Sequence, residues 1–215
     1  MPRVGNCTKL RFSQVKNLLI ATKNRGKIEE FRRIIEEFGG QIDLKSTLDF
    51  PQLTDVEETG STFVENALIK ARAYAKQSGL PSLSDDSGIC VDALNAMPGI
   101  YSARWAGSHG DDQANLKLLL DQLSHVPSER RTGSFRCAVA LVFPDGREFV
   151  EEGEMRGRII ESPRGSGGFG YDPIFVADGF QLTTSEISAA EKDRISHRGK
   201  ALRAITPLLL VELDR

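Results

Sequence analysis

No two cysteines in this sequence are spaced as a metal knuckle or a redox pair. Cys7, Cys90 and Cys137 are the only three, odd in number and far apart. That argues against a disulfide framework and against structural zinc, and makes a reducing cytoplasm the expected home. Long apolar runs are missing too: none approaches the roughly 18 residues of a membrane span, so no membrane partner is expected. Charge of one sign is equally absent. The 28 basic residues face 30 acidic ones for a net charge of −2, which removes the polyelectrolyte signature of a nucleic-acid binder. Residues 1–16 carry Arg3, Lys9, Arg11 and Lys16 without a continuous apolar segment, so they are read as a mobile extension, not a secretory leader. Residues 17–215 are read as a single domain, with 40% hydrophobic and 27% charged residues in the chain, an ordinary soluble balance.

What is present has α/β character. Leu18 to Ala21 reads as a buried strand, Thr22 to Lys27 as a turn, and Ile28, Phe31, Ile35 and Phe38 share one face of a helix that Gly39-Gly40 ends. Ile42 to Leu44 suggests a second strand, followed by a loop from Thr47 to Gly60. Thr62 with Glu65 forms a capping box opening a helix that runs to about Gln77, and Gly79 and Pro81 close it. Gly110-Asp111-Asp112 leads into a helix carrying Leu116, Leu119, Leu120 and Leu123. Phe135, Cys137, Val139, Leu141 and Phe143 then alternate at period two, and Pro144-Asp145-Gly146 turns the chain into Glu148-Phe149-Val150. This predicts an antiparallel hairpin and hence a mixed sheet. Two helical pieces, around Glu186 to Ile195 (with Ser188 and Glu191 as a capping box) and Lys200 to Leu213, end the chain.

Five stretches carry chemistry. In Leu83-Ser84-Asp85-Asp86-Ser87-Gly88-Ile89-Cys90-Val91 two adjacent carboxylates lie between apolar runs. The runs read as short strands and Asp-Asp-Ser-Gly as the corner between them. Carboxylates held at a sheet's edge lose hydration, a cost that a divalent metal offsets, and such a metal also promotes attack of water on phosphate. The Thr22-Lys23-Asn24-Arg25-Gly26-Lys27 turn points free N–H groups, a helix dipole and a lysine at one place, which is a phosphate cradle in physical terms though not a G-x-x-x-x-G-K-[ST] loop. Glu57-Glu58 precedes a helix on which Asn66 and Lys70 share a face and Ala67, Ala71 and Ala75 form a small-residue stripe. If that loop folds back, Glu57 and Asp86 become a pair of Mg²⁺ ligands. Gly167 to Pro173 sets glycines on either side of Phe169, with Tyr171 next in line, a platform on which a flat ring stacks, with Asp172 as an acceptor in the wall. Lys192 and Ser196-His197-Arg198-Gly199-Lys200 add a donor fork suited to a purine edge or a phosphate.

In this order the stretches resemble the inosine/xanthosine triphosphate pyrophosphatase family. The matching pieces are Thr22-x-Asn24-x-x-Lys27, Glu57 to Gly60 with Phe63-x-Glu65-Asn66-Ala67, Ser84 to Gly88, Pro98 to Arg104, Gly168 to Pro173 and Ser196 to Gly199. Lys23 departs from the glycine that the family often carries there. The resemblance implies a two-lobed α/β fold: a long mixed sheet flanked by helices, a strand hairpin in the second lobe and a substrate cleft between lobes. It implies a homodimer and Mg²⁺-dependent cleavage of non-standard purine nucleoside triphosphates (ITP, dITP, XTP) to monophosphate and pyrophosphate. By motif it implies Glu57 and Asp86 as metal ligands and Asp86 as the group that activates water. Thr22 to Lys27 would clamp the triphosphate with Lys70, Ser87 and Lys192. Phe169, Gly170, Tyr171, Asp172, His197 and Arg198 would form the base pocket. The rival readings are a pyrophosphatase for pyrimidine or modified nucleotides on a similar fold, and a nucleotide-sensing protein without activity.

Overall fold

The structure, a computed structural model, describes residues 16–39 and 42–215. The expected extension over 1–16 therefore lies outside the described residues, except that Lys16 already belongs to the first strand. Strands β1 (Lys16–Ile20), β2 (Ile42–Ser46), β3 (Ser82–Val91), β5 (Thr132–Val142), β6 (Glu148–Ile159) and β7 (Phe175–Ala177) form one sheet ordered β2-β1-β3-β5-β6-β7. The short β4 (Met97–Pro98) pairs with β3 off that path. β1 runs parallel to β2 and β3, whereas β3–β5, β5–β6 and β6–β7 are antiparallel. The expected mixed sheet and hairpin are both present. Helices α1 (Arg25–Glu36), α2 (Phe63–Ser78), α3 (Asp112–Leu123), α4 (Ala189–Ile195) and α5 (His197–Leu213) flank it.

Two apolar clusters divide this sheet along its strands. Leu18, Ile20, Phe31, Ile34, Leu83, Val139, Leu141, Leu202 and Ile205 form one. Ile89, Val91, Leu119, Leu123, Phe135, Met155, Ile174 and Phe175 form the other. β3 and β5 pass through both, and the polar stretch Asp85 to Gly88 sits where β3 crosses from one core to the other. Alternation explains the sides: Leu83 faces α1 and α5, while Ala138 and Ala140 meet the alanine stripe of α2 at Ala67, Ala71 and Ala75. Small residues on both surfaces let α2 lie close to the sheet.

Several local expectations need correction. Asp-Asp-Ser-Gly is no corner: β3 continues through it, with each residue from Ser82↔Val142 to Val91↔Gly133 in register with β5. Those polar residues tolerate a strand because tertiary partners meet their side chains, which outweighs weak β-propensity. α1 begins at Arg25, inside the stretch read as a turn, because Asn24 caps it by accepting a hydrogen bond from Lys27 N. Phe38 lies beyond its end and is exposed. Thr62 does cap α2, but the Glu65 carboxylate reaches one residue further back, to Ser61 N and Oγ. α5 starts at His197, three residues earlier than expected, on the Ser196 cap.

Candidate active site

A cavity of about 600 Å³ opens above the point where the two cores meet. Of the residues to which the family resemblance gives a metal, catalytic, phosphate or base role, all line it except Arg25 and Gly26. Its floor is the middle of β3. Adjacent strand residues leave on opposite faces, so Asp85 and Asp86 enter different surroundings. The Asp86 carboxylate turns toward α2, accepting from Asn66 Nδ2 at 3.0 Å and from Ser87 N at 2.9 Å. Burial first, and Glu58 second among the raising influences, push its pKa above the usual value against the pull of Lys70. Asp85 turns toward α1 and α5, where Lys27 Nζ lies at 2.9 Å and Arg198 Nε at 3.0 Å from its Oδ2. Burial opposes the Asp85 charge, but Lys27, Arg198 and Lys70 overcome it and hold the carboxyl far below its ordinary range.

The cations come from four helices. Lys27 stands in the first turn of α1. Lys70 projects from α2 to the Asp85 carbonyl at 2.6 Å and to Glu58 at 2.5 Å. Burial works against its charge, yet Asp85, Glu58 and Asp86 raise its pKa, so it stays protonated. Lys192 from α4 bonds Asp172 Oδ2 at 2.6 Å and Glu30 at 3.3 Å. Glu30, buried on α1, also pairs with Arg198 Nη1, while Arg198 Nη2 donates to Ser87 Oγ at 2.8 Å. Each terminal nitrogen of Arg198 keeps a second N–H.

The loop carrying Glu57 and Glu58 does fold back over the site. Phe50, Leu53 and Val56 pack against Leu19, Ala21 and Tyr74, and Gln77 holds the Thr54 amide. Glu57 and Glu58 thereby line the same cleft as Asp86. Lys23 sits on the rim, paired with Asp55 of that loop.

The opposite wall is aromatic. Phe169 N donates to Asp172 Oδ2, and Gly170 N donates to Asp112 Oδ2 at the start of α3. A side chain at Gly168 is excluded twice, by φ of +72° and by a Cβ that would fall 2.1 Å from Asp172 Oδ2. Tyr171 Oη donates to the Ser102 carbonyl at 2.9 Å. Lys192 Nζ lies 4.7 Å from the Phe169 ring centroid and Arg198 Cζ 5.7 Å. His197 stacks on Phe135 at 5.0 Å. Burial, then Arg198 and Lys192, depress its pKa well below the ordinary value, so the imidazole is neutral, and its Nδ1 has no partner among the described residues.

Sequence reading assigned no site role to Glu30, Asp85 or Glu58. Glu30 carries no local signal, since on a helix wheel it is one more charged position. Asp85 and Glu58 were visible as half of each acidic pair, but pairing partners from other helices decide what they do. Asp172, read as an acceptor facing a ligand, already receives Lys192, Phe169 N and Thr184 Oγ1. It shapes the loop.

An α/β sheet whose cleft holds buried carboxylates, several lysines and an aromatic wall defines a protein that receives a polyanion attached to a flat ring. The Ham1 family profile matches residues 18–208. The dITP/XTP pyrophosphatase of Streptomyces coelicolor is 54% identical over 192 residues, 89% of this chain and 96% of that protein. That of Mycobacteroides abscessus is 51% identical over 201 residues, 92% of this chain and 98% of the relative. Among solved structures, a HAM1 protein from Coxiella burnetii superposes with a TM-score of 0.81 at 40% identity, covering 91% of this chain and 98% of that one. The Staphylococcus aureus Ham1 protein gives 0.80 at 38%, covering 92% and 100%. This chain belongs to the Ham1 family.

Proposed function

We propose that this protein hydrolyses non-standard purine nucleoside triphosphates, dITP, ITP and XTP, to the monophosphate and pyrophosphate. One observation carries the reading: the cleft joins the lysine-lined start of α1, the buried carboxylate Asp86 and the glycine-bounded wall of Phe169. Relatives matched along nearly their whole length are named dITP/XTP pyrophosphatase.

In this reading the water oxygen bonds to the α-phosphorus as the bond to the bridging oxygen breaks, and pyrophosphate leaves. Asp86 takes the water's proton. Asn66 Nδ2 fixes its orientation. Lys27 and Lys70 neutralise the charge that gathers on the phosphate oxygens. Phe169 stacks on the base, and the neutral His197 with the remaining Arg198 N–H groups reads the six-oxygen that distinguishes these purines from adenine.

Mg²⁺ belongs to the same proposal. Among the described residues no group of three or more His, Cys, Asp or Glu surrounds one point. In this reading the donors are the carboxylates of Glu57 and Asp86, which line the same cleft, and phosphate oxygens with water would complete the shell. The residues fit, because Asp86 is a buried carboxylate whose charge burial disfavours and a divalent cation would restore. Bound there, Mg²⁺ would withdraw charge from the phosphates.

The test is pyrophosphate release from dITP, XTP, dATP, dGTP and dUTP, with and without Mg²⁺. The expected outcome is release from dITP and XTP only, and only with Mg²⁺. A preference for dUTP would favour the pyrimidine rival, and binding without release the sensing one. The family resemblance also supports a homodimer, sedimenting at twice the 23.7 kDa chain mass. The unpaired Cys90 and Cys137 suit a cytoplasmic setting. Among the described residues no helix is long and apolar enough to cross a membrane.

A further inference from the structure

Asp85 lies beneath the cleft and is only 1% exposed. Even so, three cations that line the cleft converge on it, one from each of three helices. Its Oδ2 meets Lys27 Nζ of α1 at 2.9 Å and Arg198 Nε of α5 at 3.0 Å, and its carbonyl accepts from Lys70 Nζ of α2 at 2.6 Å. Ser87 Oγ donates to the same Oδ2 at 3.1 Å and in turn accepts from Arg198 Nη2, closing a small ring of polar contacts. Cys137 Sγ seals the underside at 3.8 Å. Buried ion pairs are seldom more stable than apolar packing of the same volume. This cluster is therefore poorly explained by fold stability and well explained by the need to hold cations still.

What it holds still lies on both sides of the proposed substrate. Lys27 stands in the first turn of α1, at the phosphate cradle. Arg198 stands by Phe169 at the base wall. The two sides also touch above, since a Cβ on Gly26 would come within 2.9 Å of the Phe169 ring. We infer that Asp85 is a positioning residue which locks Lys27 and Arg198 into one frame, so that the grip on phosphate and the choice of base are coupled through a carboxylate the substrate never touches. This deepens the function proposed above and rests on it.

Asp85→Asn in the full chain keeps the shape and removes the charge. Inorganic tripolyphosphate, as a competitive inhibitor, reads the phosphate side alone, and the ratio of kcat/KM for dITP over dATP reads the base side. Both are expected to move in this one variant: the tripolyphosphate Ki rises at least tenfold and the dITP/dATP ratio falls at least tenfold. A merely structural role would lower kcat by shrinking the active fraction and leave Ki and ratio alone. If circular dichroism shows Asp85→Asn unfolded, Lys27→Met tests the same coupling. Loss of the lysine releases Oδ2 and shifts Arg198, so the ratio falls at least threefold although Lys27 faces phosphate only. A folded Asp85→Asn with Ki and ratio within twofold of wild type overturns the inference, as does an unchanged ratio in Lys27→Met. Wild-type protein that releases no pyrophosphate from dITP fails differently, removing the function itself and the coupling with it.

Discussion

Asp86 and Glu30 are both buried acids, and their surroundings set opposite behaviour. Burial, the first influence on each, raises a carboxyl's pKa. At Asp86 that influence wins, while at Glu30 the adjacent Arg198 and Lys192 overcome it and lower the pKa. Asp86→Asn keeps the Asn66 contact region but removes the base, so kcat should fall by about 10²–10⁴-fold with the thermal midpoint little changed. Steady-state kinetics beside a melting curve checks both halves. Glu30→Gln acts on stability. It removes one of two carboxylates from each of two buried cations, Arg198 keeping Asp85 and Lys192 keeping Asp172, a loss of about 1.5–3 kcal/mol, measurable by urea unfolding at pH 7. The sign with pH follows from the depressed native pKa. Glu30's contribution is complete above the ordinary Glu range near ~4.3 and is lost as pH falls through its lower native value. The gap between wild type and Glu30→Gln should therefore narrow in acid; a gap that widens as pH drops from 6 to 3 contradicts the pairing.

At the scale of elements, the start of α5 depends on a single close approach to the sheet. A Cβ on Gly153 of β6 would fall 2.1 Å from the His197 carbonyl and 2.9 Å from Ala201 N. Gly153→Ala must push the first turn of α5 outward, and with it His197 and Arg198. Overpacking of this kind costs about 1–3 kcal/mol. The expected outcome is a lower melting temperature together with a higher KM for dITP. Loss of stability with an unchanged KM would show that α5 shifts without moving the pocket. Caps explain why sequence boundaries ran late at α1 and α5. Asn24 and Ser196 are good N-caps, yet apolar periodicity starts only at Ile28 and Ala201, after the first polar turn.

For the molecule as a whole, two apolar clusters share β3 and β5 without interruption. Neither can lose its strands without exposing the other. Calorimetry should thus give one cooperative transition with calorimetric and van't Hoff enthalpies in agreement. Two resolved transitions would mean that the cores unfold separately. The cleft lies at their junction, where β3 carries a polar stretch, Asp85 to Gly88, between its apolar runs.

That gap was legible in the sequence. Leu83 and Ile89 announce buried strand on either side of it, the period-two run from Phe135 announces its hairpin partner, and glycines flanking Phe169 announce a loop with an aromatic at its tip. These signals are local, carried by residues a few positions apart, so composition and spacing suffice to read them. Tertiary structure alone decided that Asp-Asp-Ser-Gly stays extended, that Asp85 and Asp86 serve opposite faces, and that Glu30, Lys192 and Arg198 share one buried ion-pair chain. Those facts depend on side chains as far apart in sequence as Glu30 and Arg198, whose energies exist only once burial has replaced water with protein.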